Sequence, residues 1–110
     1  MHGGSMNIVL LAALVGLLLL LSVKMKVGEK KFRQAARMEK EGRFREACYF
    51  YSVAIFNGLG TMAQADCENR IKTLWRSHGP FDYADIDVQA CRVNAQGHSE
   101  TLKIIKELVT

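Results

Sequence analysis

A chain of 110 residues has room for one domain, and its formal net charge of +4 is modest. Three cysteines at spacings of 19 and 24, with no C-x-x-C, exclude a disulfide framework and a zinc site, so Cys48, Cys67 and Cys91 read as buried free thiols. Mean hydropathy is near zero, but this average hides two unlike parts.

The first five residues, Met1 to Ser5, read as a cloning leader, with Met6 opening the natural sequence. From Ile8 to Val23 every residue is apolar, Gly or Ser, and all 15 Lys and Arg and all 11 Asp and Glu follow that run. Its 16 residues make about 24 Å of helix, and extension to Val27 reaches the roughly 20 residues that a bilayer core takes, with Lys24 and Lys26 reaching to the headgroups. A cleaved secretory signal is disfavoured, because Lys-Met-Lys follows the run where a small-x-small site belongs. A buried core helix is disfavoured because so small a domain rarely buries a helix that is apolar all round. The sequence therefore predicts a transmembrane anchor over residues 6–27, in contact with the lipid bilayer through residues 8–23. Lys24, Lys26, Lys30, Lys31 and Arg33 all lie on its C-terminal side, which predicts a single-pass integral membrane protein with its C-terminal domain in the cytoplasm.

Residues 28–110 carry helical patterning. A first segment from Glu29 to Glu41 has a modest face of Phe32, Ala35 and Ala36, and Gly42 ends it. In a second, Arg43 to Phe56, the residues Phe44, Ala47, Cys48, Tyr51, Ala54 and Ile55 recur at helical spacing, before the turn at Asn57 to Gly60. In a third, Thr61 and Gln64 form a capping box, Cys67, Ile71, Leu74 and Trp75 form the buried stripe, and Gly79 in a left-handed conformation ahead of Pro80 ends it. The fourth, Tyr83 to Asn94, has Ile86, Ala90, Cys91 and Val93 at helical spacing. Ile86, Val88 and Ala90 also alternate, but a lone strand would have no partner, so helix is favoured. A last helix runs over about 99–110, capped by Ser99, with Leu102, Ile105, Leu108 and Val109 inward.

Self-comparison reveals a repeat. Phe44, Ala47, Tyr51 and Ala54 stand at the same offsets from Gly42 as Phe81, Ala84, Val88 and Cys91 do from Gly79, a period of 37 residues. The glycine permits a tight turn, the aromatic wedges between two helices, and the small residue lets them approach.

This pattern resembles the tetratricopeptide (TPR) family, whose second helix carries Gly-x-aromatic-x-x-Ala. Lys72 at a small position and Lys31 and Glu68 at a tryptophan position depart from it. The resemblance implies an all-α fold, in which the transmembrane helix leads into two helix-turn-helix pairs (repeats over about 29–57 and 61–95) and a capping helix. It also implies a groove for a protein or peptide partner, lined by Glu29, Phe32, Ala36, Glu39, Asp66, Asn69, Thr73 and Arg76.

Between Lys24 and Arg45 nine basic and three acidic residues give a net of +6, and Lys26, Lys30, Arg33, Arg37 and Lys40 form a juxtamembrane basic stripe on one helical face. That stripe suits anionic lipids, and nucleic acid is the weaker expectation. Asp82, Asp85 and Asp87 lack the spacing of a calcium loop and read as charges at a helix N-terminus. No cofactor, metal site or catalytic constellation is expected. The function expected is a membrane-anchored protein–protein interaction adaptor, with a structural subunit of a membrane complex, or anionic-lipid binding, as alternatives.

Overall fold

The structure is a computed structural model describing the backbone of residues 3–110 and the side chains of residues 7–20 and 26–110. Met1 and His2 of the expected leader, and the side chains of Leu21–Met25 within the expected anchor, lie outside it. Four α-helices make up the described fold: α1 (Gly3–Lys40), α2 (Phe44–Asn57), α3 (Thr61–His78) and α4 (Ala95–Val109). The fold is all-helical and compatible with a helical repeat domain.

The second half of α1 turns into α2 through Gly42, whose φ of +80° is the left-handed value glycine tolerates. Gly42 N–H donates to Glu39 O and Arg43 N–H to Met38 O, the paired bonds that close a helix C-terminus. α2 is the axis of the fold and packs against α1, α3 and α4. Its residues Ala47 through Ala54 are buried without a break. The helical stripe of the sequence accounts for Ala47, Cys48, Tyr51 and Ala54; Tyr49, Phe50, Ser52 and Val53 are buried because helices lie on the other sides as well. Small residues set the α2–α4 distance: Ser52 Oγ donates to Thr101 O at 2.8 Å, and Thr101 Oγ1 to Gly97 O at 2.6 Å. Gly28 permits the closest passage of α1, since a Cβ there would strike the carbonyl of Gly58.

Four local expectations are corrected. The segment expected as a fourth helix, Tyr83 to Asn94, is a series of turns. Its aspartates explain why: Asp82 Oδ1 accepts from Ala84 N–H, and Asp87 Oδ1 from Gln89 and Ala90 N–H, local bonds that compete with helix. The turn segment instead lays aromatic rings on the core, with Phe81 edge-on to Trp75 and Tyr83 against Tyr49. Gly79 is extended, with φ −85°, and α3 begins after Gly60 without a side-chain cap, Gln64 bonding Glu68 instead. α4 starts earlier than expected, where Asn94 Oδ1 accepts from Gly97 N–H at 2.6 Å.

The expected transmembrane anchor is corrected too. Among the described residues no helix is long and apolar enough to cross a membrane. The uninterrupted apolar run of the sequence, Ile8 to Val23, gives about 24 Å of helix, against a hydrocarbon core of about 30 Å. With no span to orient, the basic residues after it no longer argue for a single-pass integral membrane protein with a cytoplasmic C-terminal domain. α1 is one continuous helix, its first half projecting from the others. The large apolar residues from Ile8 to Leu20 are 47% to 68% exposed.

Candidate functional site: a polar cleft between α1 and α3

On α3, Asp66, Asn69, Arg70 and Thr73 stand at i, i+3, i+4 and i+7, so they share one face. On α1, Phe32, Ala36 and Glu39 likewise share a face. The two faces meet over the aromatic ring of Tyr51 from α2. Glu39, Asp66, Asn69, Arg70, Thr73 and Leu74 line a cleft of about 250 Å³.

Arg70 is its organising residue. Its Nε lies 3.3 Å from Asp66 Oδ2, and its Nη1 3.5 Å from Glu39 Oε1 and 3.4 Å from Tyr51 Oη. Its guanidinium also sits 5.8 Å and 6.0 Å from the ring centroids of Tyr51 and Phe32, within cation–π range. Tyr51 is fully buried and donates its hydroxyl to Glu39 Oε1 at 3.0 Å. Burial, followed by that bond to a carboxylate, pushes the Tyr51 phenol upward, so it stays a neutral donor. Phe32 meets the Tyr51 ring edge-on at 5.6 Å. The floor is thus aromatic and fixed, while the rim offers a half-exposed Asp66 carboxylate and the exposed Asn69 amide. The Thr73 hydroxyl is turned to its own helix, donating to Asn69 O.

Of the groove residues expected from the sequence, Glu39, Asp66, Asn69 and Thr73 line this cleft, and Phe32 supports its floor. Ala36 is half-buried on the same face of α1, and Glu29 is exposed farther up that helix. Arg76 lies in a separate depression between α3 and α4, beside Lys72, Trp75, Leu108 and Val109. Sequence reasoning missed Arg70, although its i+4 spacing from Asp66 was a readable ion-pair signal. The stripe residues Lys26, Lys30, Arg33, Arg37 and Lys40 are all exposed on α1.

The remaining reactive groups are committed to packing. Burial pushes the Cys48 thiol up to about 11 and Cys67 to about 12, and raises Cys91. Such thiols stay protonated near neutral pH and are poor nucleophiles. His78 stacks on Phe44, and His98 Nδ1 bonds Tyr49 Oη at 2.8 Å. Among the described residues no group of three or more His, Cys, Asp or Glu could hold a metal ion.

Fold and cleft together define a small helical domain with a preformed polar recess and buried thiols. Compared with protein-family models, with curated proteins and with solved structures, the chain matches none.

Proposed function

We propose that this protein is a TPR-like protein-interaction module that holds a polar peptide segment of a partner in the α1–α3 cleft. The observation that carries the reading is the convergence of Glu39, Asp66, Asn69 and Thr73, from two helices far apart in sequence, on one recess. The first repeat supports it as well: Gly42 turns between α1 and α2, and Ala47, Tyr51 and Ala54 are fully buried. Because the second repeat lacks its second helix, the module is one helix pair flanked by α3 and α4.

The Arg70 network gives the cleft its selectivity. A partner must leave the Arg70 bridge intact and bond to Asn69 and the outer Asp66 oxygen, which suits amide and cationic groups better than anions. The test places a photo-crosslinking side chain at Asn69 or, as a control, at exposed Lys103 on α4. Adducts form from Asn69, and Asp66→Arg abolishes them. Adducts from Lys103 alone, or adducts indifferent to Asp66→Arg, would remove the cleft from the account.

A further inference from the structure

A second recess lies on the opposite flank of α1, where the 79–94 segment folds back. Lys30, Lys31 and Gln34 on α1, Phe50 on α2, and Cys91 and Arg92 from the turns line a cavity of about 450 Å³. The turn that delivers Arg92 is unusual, because Arg92 has φ +54°, a left-handed value that costs an arginine free energy. Folding thus spends strain to set a third cation beside two lysines.

Among the described residues none of these three cations is within ion-pair distance of a carboxylate. The Lys31 ammonium sits 5.3 Å from the Phe50 ring centroid, which steadies it over the cavity. Burial, then the charges of Lys30 and Arg92, lower the Lys31 pKa, the mark of a cation held without a counterion. Gln34 also lines this cavity, and its Oε1 is buried with no hydrogen-bond partner. Buried polar atoms normally find one.

We propose that this cavity binds a phosphomonoester group. Its oxygens take the N–H donors of Lys30, Lys31 and Arg92, and its charge of about −1.5 to −2 balances them. The same group occurs on free metabolites and on phosphoinositide headgroups, and the experiment separates these sources.

The full chain in neutral detergent is titrated with inorganic phosphate and with glycerol phosphate by calorimetry. In parallel it is bound to phosphatidylcholine vesicles with and without a phosphoinositide monophosphate. The variants are Lys31→Gln and Arg92→Gly, the latter chosen because glycine accepts the left-handed backbone and keeps the turn; Lys103→Gln is the control. Saturable binding of the soluble phosphates, weakened about tenfold by each variant and unchanged in the control, supports a free phosphate ester. A response confined to phosphoinositide vesicles, with the same losses, supports a headgroup. No binding in either arm, or binding that both variants leave intact while circular dichroism shows the helices unchanged, overturns the proposal.

Discussion

Two stretches of this chain are apolar around the whole helix, and the chain treats them differently. Ala47 to Ala54 of α2 is wrapped by α1, α3, α4 and the 81–91 turns until only the Phe50 ring keeps a little contact with water. Ile8 to Leu20 of α1 has the richer apolar sequence, yet among the described residues no helix covers it. An all-round apolar helix demands surroundings but does not say where they come from. In α2 the demand is met by residues far along the sequence, held there by the Ser52–Thr101 bond, the Tyr49–His98 bond and the aromatic rings of the turn segment.

The comparison breaks most sharply by truncating one side chain in each stretch. Tyr51→Ala removes a fully buried ring that touches Phe32 and bonds Glu39, and should cost about 3–5 kcal/mol of stability in urea unfolding. Leu14→Ala, in the uncovered stretch, should leave the same transition within about 0.5 kcal/mol. Equal effects would mean that both stretches are packed in the same folded unit.

Glycine substitution sharpens the boundary within α1. Gly28→Ala drives a methyl into the Gly58 carbonyl and should destabilise by about 1–3 kcal/mol, read by thermal unfolding. Gly16→Ala meets nothing within 4 Å and should leave the transition unchanged or slightly raised. A silent Gly28→Ala would contradict the close passage of α1 over the α2 turn.

Alkali provides a gentler probe. In the folded chain Cys48, Cys67 and Tyr49 keep their protons to about 11, 12 and 12, whereas the unfolded chain releases them from about 9 for the thiols and 10 for the phenol. Above pH 9 the unfolded state therefore binds fewer protons than the native one, so stability falls as pH rises through this window. Below pH 9 the contribution is fully present. Urea midpoints at about pH 8 and about pH 10.5 should differ in that sense, and Cys48→Ala should reduce the difference.

The parts legible in the sequence were those fixed by near neighbours. Periodicity marks α2 and α3, and Gly42 marks the first turn; of the expected groove residues, Glu39, Asp66, Asn69 and Thr73 line one cleft. What stayed hidden depended on tertiary placement or on competing local bonds. Tyr49, Phe50 and Val53 sit off the helical stripe and are buried only because α4 and the turns close over them. The 79–94 segment has helical spacing, but Asp82 and Asp87 satisfy its backbone within turns. Arg92 lines the second recess because it is itself left-handed, a conformation that no periodicity encodes. A membrane span over residues 6–27 needs Lys24 and Lys26 within its length, whereas the uninterrupted apolar run, Ile8 to Val23, has 16 residues.

The central claim is that the cleft-bearing unit is organised around α2 and is independent of the uncovered start of α1. Circular dichroism melting of residues 26–110, at two protein concentrations, tests it directly. The account predicts a mostly helical state and one cooperative transition at a temperature that does not change with concentration. A transition that is absent, or that shifts with concentration, would contradict it, because α2 would then need something beyond these residues to be buried.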